Sequence, residues 1–147
     1  MKPALHPDYQ LDKKLNLCIA AIIKDEYSGL LEWIAYHRVL GVTGFMIADN
    51  GSRDGSTELL ASLARLGIVS TFEQPNLDNQ KPQLPAYERI LRSCPPEVDL
   101  LAFIDADEFL LPLTDGLGLT DFLASRFQDE SVSALALNWS NFGSNGE

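Results

Sequence analysis

LAFIDADEFLLP, residues 101–112, passes from an apolar run to three acids and straight back to apolar residues. The run DLLAFI (99–104) has the look of a buried strand, and Asp105 and Asp107 fall where it leaves the sheet. The same arrangement occurs earlier. GFMIAD (44–49) reads as a strand, and the turn-rich DNGSRDGS (49–56) follows it.

Working outward, LNLCIAAII (15–23) is another short apolar run, closed by Lys24, Asp25 and Glu26. Ser28 offers an N-cap for a helix through GLLEWIAYHRVL (29–40), and Gly41 a stop. Asp54 offers a cap for GSTELLASLARL (55–66), where Leu59, Leu60, Leu63 and Leu66 recur at helical spacing before Gly67. IVSTF (68–72) reads as a strand. EQPNLDNQKP (73–82) is a polar loop, and LPAYERILRS (84–93) a helix that tolerates Pro85 in its first turn and ends before Pro95-Pro96. A weaker helix, LTDFLASRF (119–127), precedes a fifth strand, VSALALNW (132–139).

Strands alternating with helices predict an α/β fold with a mainly parallel sheet covered by helices on both faces. In such sheets ligands bind at the carboxyl ends of the strands. Lys24-Asp25-Glu26, Asp49-Asn50 and Asp105-Ala106-Asp107 all fall on that edge.

The chain's 147 residues suffice for one domain with a substantial core, after a polar extension over residues 1–14. A net charge of −10 argues against nucleic acid or an anionic lipid surface as the main partner. A phosphorylated small molecule is compatible with it, because a bound cation reverses the local sign. Cys18 and Cys94 have neither zinc nor disulfide-framework spacing. With no apolar signal-like centre and no run long enough to span a bilayer, the expectation is a cytoplasmic protein, free or peripheral to the inner face of the membrane.

Asp105 and Asp107 admit two readings: acids that merely cap a chain leaving the sheet, or a pair of hard oxygen ligands for Mg²⁺ or Mn²⁺. Delivery by a buried strand favours the second. Asp49 is placed to accept hydrogen bonds from a ribose or base, and Arg53 either pairs with a phosphate or is a solvated loop cation. Trp33, Tyr36 and Trp139 are expected to pack the core or its edge, and His6 and His37 lack support as ligands.

Taken together, these segments resemble family-2-type glycosyltransferases of the GT-A (nucleotide-diphospho-sugar transferase) fold, in the branch that shares features with glycosyltransferase family 92. The likeness rests on IIKDEYSGLLEWIAYHRVLGVTGFMIADNGSRDGS (22–56), Gln83 with Ala86-Tyr87, AFIDADEFLLP (102–112) and NWSNFGSNG (138–146). It implies a metal-dependent, inverting transfer of a sugar from a nucleotide-diphospho-sugar, a UDP-sugar foremost, to a glycan or lipid-linked acceptor in polysaccharide biosynthesis. Ala21, Ile22 and Glu26 would lie beside the nucleoside, and Asp49 would contact its base or ribose. Asp105 and Asp107 would form the DxD pair, Asp107 the more direct ligand of Mn²⁺ or Mg²⁺. Asp25 departs from the Asn usual in that branch. No general base emerges, and residues 15–147 are expected to form a GT-A-like domain without its acceptor part.

Three other readings fit less well. A haloacid-dehalogenase-like phosphatase wants Thr or Val where Phe109 stands, and places its acids on the first strand rather than the fourth. A receiver-like domain leaves Gln83 to Tyr87 and Trp139 to Gly146 unexplained. A nucleotide-sugar-binding module without turnover differs from the enzyme in binding the donor and not transferring from it.

Overall fold

A computed structural model describes residues 15–74, 81–113, 118–129 and 131–140. The chain runs β1 (Leu17–Ile23), α1 (Tyr27–Val39), β2 (Gly44–Asp49), α2 (Ser56–Arg65), β3 (Val69–Glu73), α3 (Gln83–Ser93), β4 (Leu100–Phe103) and α4 (Leu119–Arg126). The extension over 1–14 and the end of the segment 138–146 lie outside the described residues.

The strands form one parallel sheet in the order β3-β2-β1-β4. β1 and β2 are buried on both faces, as parallel strands covered by helices must be. Leu17, Ile19, Ala21 and Ile23 of β1 face one core, with Phe45 and Ile47 of β2. Leu30, Trp33 and Ile34 of α1, Leu60 and Leu63 of α2, and Leu119 and Leu123 of α4 cover that face. Cys18, Ala20, Met46 and Ala48 point the other way, onto Ala86 and Ile90 of α3. Each large aliphatic or aromatic side chain so buried contributes about 1.5–3 kcal/mol. Crossovers to β2 and β3 step one way from β1 with helices on the first face; the crossover to β4 steps back with α3 on the second. That reversal keeps each connection right-handed.

Gly41 and Gly67 end α1 and α2 with φ of +98° and +70°, a backbone region L side chains avoid. Cys94 is extended after α3, as the residue before a proline must be. Cys18 and Cys94 are free thiols, and burial first, then the neighbouring Cys94, pushes the Cys18 thiol up to about 11.

Two expectations need correction. α1 starts at Tyr27, so Ser28 lies inside it rather than capping it. The amides of Glu26 and Tyr27 are instead taken by Ser56 Oγ (3.1 Å) and Asp54 Oδ2 (2.8 Å), tertiary acceptors replacing a local cap. The fifth strand also fails: residues 132–140 carry no strand pairing. Its alternating side chains, Leu135, Leu137 and Trp139, therefore stay exposed, Trp139 at 78%, and Trp139 packs neither core nor edge. Alternation marks a segment able to pair, but a strand exists only where a neighbour completes its ladder.

Candidate functional site

The chain reverses its direction across the sheet between β1 and β4, the position where a crevice opens above the carboxyl ends of the strands. β4 stops early: Phe103 pairs with Ala20, one further bond joins Ile104 N–H to Ala20 O (3.2 Å), and β1 runs on to Ile23. Glu26 leaves one side of this crevice and Asp105 and Asp107 leave the other.

Electrostatics ties the two sides together. Burial, then the charges of Asp107, Asp54 and Asp25, raise the Glu26 carboxyl above its ordinary 4.5. Four carboxylates thus concentrate negative potential at one edge, a field that favours a cation. The Asp107 carboxylate is exposed and accepts no hydrogen bond from the described residues. Asp105 is held more firmly. Its amide donates to Glu108 Oε2 (3.1 Å), the Glu108 amide donates back to Asp105 O (3.1 Å), and its charge is felt by the Tyr87 hydroxyl. Gln83 Nε2 donates to that same hydroxyl (3.1 Å). Burial, with the charges of Asp105 and Glu108, raises the Tyr87 phenol, so it stays protonated and able to donate.

Loops after β1 and β2 are stitched to each other. Asp25 N–H donates to Ser52 Oγ (2.9 Å) and Arg53 N–H to Asp25 Oδ1 (2.7 Å), beside the Glu26 and Tyr27 bonds described above. Asp25 adopts φ of +59°, sparsely populated by residues other than glycine. Here Asp, the departure from the family pattern, closes the loop as an acceptor. Asp54 does part of its expected work: Gly55 holds the N-cap position, while Asp54 Oδ1 takes the Ser56 amide (3.0 Å) and hydroxyl (2.7 Å) from one residue outside. That hydroxyl bond leads the interactions holding the Asp54 carboxyl below its ordinary range.

Asp49 ends β2, 7% exposed, with Oδ1 accepting from Ser52 N–H (2.9 Å) and Oδ2 from Thr57 Oγ1 (2.5 Å). Each oxygen keeps one lone-pair direction for a ligand hydroxyl. Ala21 is wholly inside the core, whereas Ile22 keeps some accessible surface. Arg53 is exposed beside Asp25. Asn50, unremarked in the sequence beyond its turn propensity, is only 9% exposed, and its Oδ1 has no partner among the described residues. Leaving such an acceptor unpaired costs about 1–3 kcal/mol. Trp33, Tyr36 and His37 were also under-read: their polar atoms bond the chain just beyond Asp107.

Among the described residues no cluster of three or more His, Cys, Asp or Glu side chains would enclose a metal. Mg²⁺ and Mn²⁺ at phosphate sites need only one or two carboxylates, the phosphates supplying the rest. Asp105 and Asp107 fit that demand and not that of a caged structural metal. Of two open grooves, one, about 570 Å³, borders this edge and is lined by Tyr27, Asp54, Gly55, Glu58, Leu59 and Ser62; the other, about 430 Å³, sits at the amino ends of the strands around Asn16, Thr43 and Val98. Neither contains the paired acids.

The family model described as Glycosyltransferase family 92 matches residues 13–146. The chain belongs to glycosyltransferase family 92. It is 28% identical over 146 residues to a family 92 protein of Ricinus communis, covering 95% of this chain and 25% of that one. A family 92 protein of Oryza sativa subsp. japonica is 31% identical over 100 residues, covering 67% of this chain and 16% of its own length. One of Arabidopsis thaliana is 32% identical over 97 residues, covering 65% and 16%. The chain thus spans a quarter or less of the length of these relatives. Among the described residues no helix is long and apolar enough to cross a membrane.

Proposed function

We propose that this chain binds the donor of a glycosyl transfer: a nucleoside-diphosphate sugar, a UDP-sugar foremost, held with Mn²⁺ or Mg²⁺ above the β1–β4 crevice. The supporting observation is the convergence of Glu26 with the Asp105–Asp107 pair across that crevice, in a chain of this family. Asp107 and Asp105 would hold the cation, which when bound supplies Lewis acidity to the two phosphates. Asp49 would orient the ribose or base through its remaining lone pairs, and Asn50 Oδ1 would accept from a ligand N–H or O–H. Glu108 fixes the Asp105 backbone through both of its bonds to it.

In the transfer itself, the acceptor oxygen bonds to the anomeric carbon from the face opposite the diphosphate. The bond to the diphosphate oxygen breaks with its electron pair, the acceptor's proton passes to a base, and the configuration inverts. A glycan or lipid-linked hydroxyl is the acceptor class. A second reading, donor binding without transfer, is favoured by one observation. At this edge Asp25, Asp49, Asp54 and Glu108 already accept hydrogen bonds from the chain, and the remaining acids are assigned to the donor.

A thermal-shift screen of nucleoside diphosphates with and without Mn²⁺ tests the proposal. UDP at about a hundred times its Kd should add about 2.7 kcal/mol of stability, and chelation should remove most of it. If no nucleoside diphosphate raised the midpoint with either cation, donor binding would be refuted. Release of UDP from a UDP-sugar only when acceptor is added then separates transfer from binding.

A further inference from the structure

We propose that one face of α1, carrying Trp33, Tyr36 and His37, sets the position of Asp107 opposite Glu26, and so acts as a positioning element for the cation–diphosphate site. The inference rests on the reading of Asp105 and Asp107 given above.

Residues 105–110 need such a hold. β4 is four residues long, half-exposed, and its ladder ends at the Ile104 amide. Beyond that point, the chain is held from α1. Trp33 Nε1–H donates to Glu108 O (2.7 Å), Tyr36 Oη–H to Leu110 O (2.9 Å), and Leu110 N–H donates to His37 Nε2 (3.3 Å). An amide can only donate, so Nε2 carries a lone pair and the proton sits on Nδ1, which faces Trp33 O at 2.8 Å. Phe109 between them stacks on the His37 ring (5.9 Å, 16°) and meets Tyr36 edge-on (5.1 Å, 80°).

Both backbone groups of Leu110 are therefore bonded to side chains of a single helix. Trp33 and His37 have no exposed surface; the Leu110–His37 bond is buried and the other two are part-buried, which restricts their exchange for water. A face serving only the core would be filled at less cost by apolar residues, as Leu30 and Ile34 of the same helix fill theirs. Instead three donors and acceptors meet three backbone atoms of the segment just after Asp107. The same helix starts at Tyr27, immediately after Glu26, and is stitched there to Ser56 and Asp54. One rigid element thus fixes both sides of the crevice, and supporting bonds of this kind decide whether a site is held closely enough to work.

The test measures Mn²⁺-dependent UDP binding by calorimetry for the 147-residue chain, Tyr36→Phe, Trp33→Phe, and each change combined with Asp107→Ala. Tyr36→Phe removes one hydroxyl at a half-buried position; Trp33→Phe serves where the first has little effect on the fold. Each should weaken binding at least threefold when Asp107 is present and leave the residual binding of Asp107→Ala unchanged. Amide exchange at residues 108–110 should quicken with no change in β1 and β2. Undiminished Mn²⁺–UDP affinity in both folded variants would overturn the inference, as would an equal loss in the Asp107→Ala background. Metal-independent binding by the unaltered chain would instead overturn the cation reading, and this inference with it.

Discussion

His37 shows how one side chain links burial to pH. Burial lowers its proton affinity below the ordinary 6.5, with the Trp33 carbonyl opposing, and its other contacts are the Leu110 amide and the rings of Trp33, Tyr36 and Phe109. The unfolded chain takes up this proton as the pH falls below 6.5, while the native chain resists it. Stability is therefore undiminished above that value and declines as the pH falls toward the depressed native pKa. Urea unfolding from about pH 7.5 to about pH 5.5 should show that decline, and His37→Gln should flatten it. Parallel profiles for the two proteins would place the pH response elsewhere. Asp49 carries a second prediction. Asp49→Asn keeps Oδ1 for Ser52, and the Thr57 hydroxyl can turn to accept, so the stability loss should be about 1 kcal/mol. UDP binding should weaken while inorganic diphosphate with Mn²⁺ binds as before. Equal losses for the two ligands would put Asp49 in the cation's shell.

At the scale of elements, local chemistry was legible and long-range pairing was not. GFMIAD coincides with β2, and the other strands and helices fall within a few residues of their sequence patterns, because each carries its own period and stop signals. VSALALNW carries a strand's alternation yet pairs with nothing described, since pattern cannot supply a partner. The α1 clamp was illegible for a related reason: its bonds span 73 to 75 positions. One signal was available. Trp33, Tyr36 and His37 sit at i, i+3 and i+4, three hydrogen-bonding side chains on one face expected to be apolar. The two tryptophans report the contrast directly. Trp33 is 0% and Trp139 78% exposed, so acrylamide should quench one emission component strongly and leave a blue-shifted one. In Trp139→Phe the quenchable component should vanish. Uniform quenching of both would mean that residues 132–140 pack or that α1 does not.

For the whole molecule, the acids after β1, β2 and β4 had been placed on one edge by the alternation of elements alone, and the sheet order adds which of them meet. Only the reversal between β1 and β4 brings Glu26 to Asp107, and no pattern in the sequence reveals that neighbour relation. The result is a proposed donor site of negative potential in a chain of net charge −10. A diphosphate approaching such an edge is repelled unless a cation accompanies it. The most direct measurement is calorimetric titration of UDP into the 147-residue chain and into Asp107→Ala, each with Mn²⁺ and with chelator. The account predicts binding that depends on Mn²⁺ and falls at least tenfold, about 1.4 kcal/mol, in a folded Asp107→Ala protein. Undiminished Mn²⁺–UDP affinity in that variant would contradict it.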